Sequence, residues 1–162
     1  MRTVAGAEPR ELRDVYGAFP SGVVGLCALV EGGPVGMAAS SFVAVSLEPP
    51  LVAVCVQKTS TTWPRLRTLP RLGVSVLGES HDLAAKRLAA KTGDRFEGLS
   101  IGTTDGGAIL IEGASAWLEC TIDREVPAGD HDIILLRIES FEVEPTIAPL
   151  VFHSSGFRRL SA

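Results

Sequence analysis

The spacing of apolar residues changes at Gly22. Before it, Leu12, Val15, Tyr16 and Phe19 recur every three or four positions, Pro9 suits a first turn and Pro20 ends the run, so Pro9 to Phe19 predicts one amphipathic helix. After it come short runs rich in β-branched residues, Val23 to Val30, Val35 to Val45, Leu51 to Val56 and Leu72 to Leu77. Glu31-Gly32-Gly33-Pro34, Glu48-Pro49-Pro50 and other breakers separate these runs, which therefore predict strands joined by turns.

Two helices are predicted to interrupt the strands. One lies near Thr62 to Leu69; the other runs from Ser80 to Lys91, with Leu83, Ala84 and Leu88 on one face, Ser80 as cap and Lys91 as the basic end. Two long strands follow, Ala114 to Val126 and His131 to Val143, joined by Pro127-Ala128-Gly129-Asp130, and then a short strand, Leu150 to His153. Many strands without regular βαβ alternation predict a mainly β fold closed as an antiparallel barrel. One domain spanning 1–162 is expected, with residues 1–20 forming a helix packed on the barrel.

Composition sharpens this picture. Apolar residues make up 46% of the 162-residue chain, and 17 Gly with 10 Pro favour tight turns over long helices. The net charge is −4 and Lys and Arg nowhere crowd together, which argues against nucleic acid as a partner. No apolar run reaches about 18 residues and the N-terminus lacks the apolar core of a signal peptide, so neither a membrane span nor export is expected and the cytoplasm is. Cys27, Cys55 and Cys120 lie far apart in strand-like segments, without metal-ligand spacing; reduced buried thiols and no metal site are expected. The chain also lacks GxGxxG, GxxxxGK[ST], HExxH and GxSxG patterns.

Four stretches carry candidate chemistry. In Gly36 to Leu51, small and hydroxylated residues replace the bulky side chains of an ordinary strand, which suits close approach of a planar ligand and equally suits the crowded interior of a barrel. In Gln57 to Pro64, the consecutive hydroxyls Thr59, Ser60, Thr61 and Thr62 precede a helix with Pro64 in its first turn. Free N–H groups there attract phosphate, with Lys58 adding charge, although such a run also serves as a plain N-cap. His131 stands between Asp130 and Asp132 after a turn, where carboxylates favour the imidazolium. Asp94-Arg95-Phe96-Glu97-Gly98 offers a guanidinium and an aromatic face.

In order, Phe19-Pro20-Ser21-Gly22-Val23, Val35-Gly36-Met37-Ala38-Ala39-Ser40-Ser41-Phe42, Ser46-Leu47-Glu48-Pro49-Pro50-Leu51, Asp94-Arg95-Phe96, Gly129-Asp130-His131 and Pro149-Leu150-Val151-Phe152-His153 resemble the short-chain flavin reductases, the reductase components of two-component flavin-dependent monooxygenases. The likeness runs from Phe19 to Phe157-Arg158. It implies an FMN-binding split β-barrel, a Greek-key antiparallel barrel, forming a homodimer with flavin near the subunit interface. The implied activity is hydride transfer from NADH or NADPH to FMN or FAD, and the reduced flavin would diffuse to a partner monooxygenase.

By that likeness, Met37, Ala38, Ala39, Ser40 and Ser41 line the isoalloxazine, with Glu48, Pro49, Pro50 and Cys55 flanking it. Lys58 and Ser60, with Thr61 or Thr62, approach the phosphate. Arg95, Phe96 and Phe157 complete the pocket, and His131 faces the nicotinamide, binding and orienting it without transferring a proton. Hydride transfer needs no protein nucleophile, and main-chain N–H groups of Ala38 to Ser41 would stabilise negative charge on the reduced ring. Where many relatives carry Thr, this chain has Ala38, which removes one possible hydrogen bond to the ring. Three rival readings are a non-catalytic flavin- or haem-binding split-barrel protein, an oxidase resembling the pyridoxamine-phosphate oxidases, and a structural interaction protein.

Overall fold

The computed structural model describes residues 3–160; residues 1, 2, 161 and 162, part of the expected domain, lie outside the described range. Helix α1 (Pro9–Gly17) leads to a minimal strand β1 (Ser21–Gly22), then β2 (Val24–Val30), β3 (Gly33–Ala39), β4 (Val43–Leu47) and β5 (Pro50–Gln57). A single turn α2 (Trp63–Leu66), β6 (Leu72–Val76) and helix α3 (Asp82–Ala89) follow. The chain ends with a small hairpin of β7 (Ile101–Thr103) and β8 (Ile109–Ile111), the long pair β9 (Ala116–Ala128) and β10 (His131–Val143), and the short strands β11 (Val151–His153) and β12 (Gly156–Arg158).

Seven strands form one antiparallel sheet in the order β3-β2-β6-β9-β10-β5-β4. The two ends of that order are joined by the link Ser40-Ser41-Phe42, and β3 comes back against β5. The sheet therefore curls into a barrel that stays split along the seam between β3 and β5. This is the mainly β split barrel expected from the sequence.

The barrel has a core on each side of β2, which explains why that strand is a continuous apolar run rather than an alternating one. Val24, Leu26 and Ala28 point into the barrel with Val54, Leu72, Val74, Ile134 and Leu136. Val23 and Cys27 point outward, under α3 and β8, where Leu88, Ile109 and Ile111 cover them. Gly73 lets the β8 backbone approach: a Cβ there would stand 2.0 Å from the Ile109 carbonyl oxygen.

Several boundaries depart from expectation. Val35 to Val45 is two strands rather than one, because the chain leaves the sheet at Ser40-Ser41-Phe42 to cross the seam. The hairpin β7–β8 was not predicted, each strand being only three residues long. α2 is one turn rather than Thr62 to Leu69. α3 begins after His81, not Ser80, and buries Ala84, Ala85 and Leu88 while Leu83 is 53% exposed. The long hairpin turns at Gly129-Asp130 alone, with Ala128 paired to His131, because Gly129 adopts φ +65°.

Of the expected packing of the N-terminal segment on the barrel, the described residues show little burial. α1 buries none of its residues and leaves Val15, Tyr16 and Phe19 exposed. At its end the Gly17 carbonyl oxygen accepts the Ser154 N–H at 2.8 Å. No helix among the described residues is long and apolar enough to cross a membrane.

Candidate functional site

The seam opens into a cleft of about 710 Å³. Its floor is Met37, Ala38 and Ala39 at the end of β3, continued by Ser40 and Ser41 of the crossing link. One wall is Cys55 and Gln57 of β5 with the loop Thr59 to Thr62; the other is Leu88 and Ala89 of α3 with Lys91 and Arg95 beyond it. His131, first residue of β10, closes the end beside Gln57, with which it pairs.

Small residues make this floor flat, and its edge position leaves it with spare donors. β3 pairs only with β2, so half of its main-chain N–H groups have no strand partner. Ser41 fixes the crossing: its Oγ accepts the Cys55 N–H at 2.8 Å and donates to the Cys55 carbonyl oxygen at 3.2 Å. A sheet edge that would otherwise be open is held by one hydroxyl.

The end of the cleft away from His131 carries Ser60, Thr62 and Arg95. Ser60 Oγ accepts the Trp63 N–H at 3.1 Å, so this serine does cap α2, while no acceptor among the described residues takes the N–H groups of Thr61 and Thr62. Arg95 Nη1 donates to the Gly36 carbonyl oxygen and to Thr62 Oγ1, each at 2.8 Å. Those contacts aim the guanidinium without neutralising it, and its other N–H groups remain to bind an anion. Gly36 permits the arrangement, since a Cβ there would lie 2.5 Å from Cys27 Sγ and 2.9 Å from the Phe96 ring.

The charge pattern points to an anionic ligand. Among the described residues no carboxylate lines the cleft, whereas Lys91, Arg95 and His131 do, in a chain whose net charge is −4. Asp130, fully exposed, lies 2.8 Å from His131 Nδ1, and that hydrogen bond together with the histidine's charge holds its carboxyl below the usual range. Engagement of Nδ1 leaves Nε2 as the free ring nitrogen.

The structure thus brings together Met37, Ala38, Ala39, Ser40, Ser41, Cys55, Ser60, Thr61, Thr62, Arg95 and His131 from separate parts of the chain. Six expected residues lie outside this lining, Phe96 and Phe157 in recesses that adjoin it. Glu48, Pro49 and Pro50 form the exposed β4–β5 turn, too far along the ladder from Cys55 to line the cleft. Lys58 turns away: its Nζ donates to the Gly129 carbonyl oxygen at 2.7 Å and its N–H to the Asp130 carbonyl oxygen at 3.0 Å, so it ties down the turn before His131. Phe96 packs on the outer core behind Arg95. Phe157 pairs with Phe152, ring centroids 5.5 Å apart, over a neighbouring cavity of about 610 Å³ that also meets Lys86.

Leu88, Ala89 and Lys91 line the cleft without having been predicted, as do Gln57 and Thr59, which belong to a candidate stretch but were given no role of their own. Gln57 was legible in principle, because alternation along β5 puts it on the same side as Cys55. The cysteines divide likewise: burial pushes the Cys27 and Cys120 thiols up to about 12, as expected of inert core residues, but Cys55 is exposed in the cleft wall.

With this geometry established, comparison with known proteins decides the family. Residues 16–161 match the family described as "Flavin reductase like domain". The chain belongs to that family. A flavin reductase of Pseudomonas putida is 36% identical over 156 residues, covering 96% of this chain and 92% of that one. The reductase subunit HsaB of a flavin-dependent monooxygenase of Mycobacterium tuberculosis is 34% identical over 155 residues, covering 94% and 83%. The solved structure of the NADH:FAD oxidoreductase SgcE6 of Streptomyces globisporus, in complex with NAD and FAD fragments, superposes with a TM-score of 0.92 at 37% identity, covering 99% of this chain and 98% of that one. In this flavin reductase like domain, the cleft at the barrel seam is the place where sequence motifs and structure coincide.

Proposed function

We propose that this chain, acting as one domain over 1–162, is an NAD(P)H:flavin oxidoreductase that reduces FMN or FAD and passes the reduced flavin to a partner monooxygenase. The observation that carries the reading is the carboxylate-free cleft, with a flat floor of Ala38, Ala39 and Ser40 at one end and the unpaired Arg95 guanidinium beside Ser60, Thr61 and Thr62 at the other. That layout fits a planar ring joined by a polyol to a phosphate.

Bound flavin supplies a ring that accepts a hydride. The chain's residues do the rest. Ser41 holds the link that forms the floor, Arg95 and Thr62 anchor the phosphate, and main-chain donors at the β3 edge stabilise negative charge on the ring. His131, steadied by Asp130 and by the turn that Lys58 pins, orients the nicotinamide against the ring.

The partner is inferred from relatives named as monooxygenase reductase subunits. A homodimer is inferred from β4, an edge strand beside the cleft that leaves Val43, Val45 and Leu47 53%, 48% and 96% exposed. Uncovered apolar edge strands pair or aggregate, and a second copy would cover this one. The cytoplasm is inferred from the reduced nicotinamide the reaction consumes and from three free thiols.

The direct test is NADH or NADPH consumption in air on adding FMN or FAD to the purified protein. Turnover that requires added flavin is expected; stable flavin binding without turnover would leave a flavin-binding protein instead.

A further inference from the structure

Behind Arg95 lies a second recess, of about 270 Å³. Thr61, Thr62 and Arg95 line both it and the main cleft, so the phosphate end of the cleft is also the doorway to the recess. Arg65 also lines it, one helical turn beyond Thr62, whose carbonyl oxygen accepts the Arg65 N–H at 3.0 Å. Phe96 forms a flat back wall, fixed because its ring packs against Gly36 where no side chain fits.

The charges here are unspent. Neither Arg65 nor Arg95 makes a salt bridge among the described residues. Asp94 is the recess's single carboxylate, and its Oδ1 is engaged by the Phe96 N–H at 2.9 Å. Two guanidiniums flank one opening, then, where a single phosphate would need one.

We infer that this recess takes the adenosine-side phosphate and adenine of FAD, and that Arg65 is the residue that selects FAD over FMN. FMN ends at its phosphate. FAD carries a second phosphate directly attached to the first, and two adjacent anions need a second cation beside Arg95. Arg65 supplies it in the right place, and the Phe96 ring and the guanidinium planes offer faces for the purine. The inference rests on the flavin reductase reading above, because it takes the flavin phosphate to sit at Thr61, Thr62 and Arg95.

The experiment titrates FAD and FMN by quenching of flavin fluorescence with the full chain, its R65Q and R65K variants, and measures KM for NADH and NADPH alongside. The wild type is expected to bind FAD at least about tenfold tighter than FMN, R65Q to lose most of that ratio by weakening FAD, and R65K to fall between because it keeps the charge but not the fork. Equal affinities in the wild type, or an R65Q loss shared equally by both flavins, would overturn it. So would an unchanged flavin ratio with a raised KM for NADPH alone, which would assign the recess to the 2′-phosphate of that donor. If FAD selectivity depends on Arg65 but no nicotinamide is consumed, the recess stands and the reductase reading fails.

Discussion

Ser41 and Cys55 face each other across the barrel seam, the Cys55 N–H donating to Ser41 Oγ at 2.8 Å and the same hydroxyl donating back to the Cys55 carbonyl oxygen at 3.2 Å. One side chain thereby does what a strand partner would do elsewhere, holding the edge of β5 to the link that floors the cleft. Ser41→Ala removes both bonds and should cost about 1 kcal/mol, because Cys55 is exposed and water can take the place of the hydroxyl. Thermal unfolding should show the lower Tm, and fluorescence titration a weaker flavin complex, because the floor is no longer held.

Cys55 is the exposed thiol of the chain, while Cys27 and Cys120 are buried with thiols pushed up to about 12. A maleimide should therefore modify one thiol fast and two slowly. Saturating flavin should slow the fast phase by about tenfold or more, since the ring would cover the cleft wall. Cys55→Ser should abolish that phase, as mass spectrometry of the labelled chain will read directly.

These two residues also show how far the sequence could be read. The blocks around Met37 to Ser41 and Gly129 to His131 placed most of the cleft through their likeness to the flavin reductases; as local patterns, small residues in a strand and a histidine after a hairpin turn suit ordinary packing equally well. Lys58 misled, since its charge beside the hydroxyl run suggested a phosphate ligand, yet a residue 71 positions away, Gly129, offers it a carbonyl oxygen. Leu88, Ala89 and Lys91 stayed hidden for the same reason: only the packing of α3 against β3 brings them to the cleft. The break at Ser40 was missed because apolar residues continue on both sides of it, and what ends the strand is a long-range bond to Cys55.

His131→Ala should raise KM for the reduced nicotinamide by about tenfold while flavin binding changes less, if the imidazole orients the hydride donor as proposed. Lys58→Ala should give a smaller effect in the same direction by freeing the Gly129-Asp130 turn. Steady-state kinetics at saturating flavin separate the two. An unchanged KM in His131→Ala would remove this residue from the donor site.

His81 gives the fold a pH dependence of known sign. Its Nδ1 accepts the Gly78 N–H at 3.1 Å, and burial lowers its pKa from 6.5, opposed by a hydrogen bond to the Glu112 backbone. The unfolded chain therefore binds this proton more readily than the folded one, and stability falls as pH drops through about 6.5. Urea midpoints compared at about pH 8 and about pH 5.5 should show this loss, and His81→Gln should flatten that part of the profile.

The central claim, that the seam cleft of this flavin reductase like domain joins flavin and reduced nicotinamide for hydride transfer, is tested most directly without oxygen. Protein, FAD and NADH are mixed anaerobically, and the nicotinamide and flavin absorption bands are followed together, with Arg95→Gln as the control. The account predicts that both bands fade in equal molar amounts and that Arg95→Gln slows this at subsaturating FAD. A yellow complex that persists beside unconsumed NADH would contradict it.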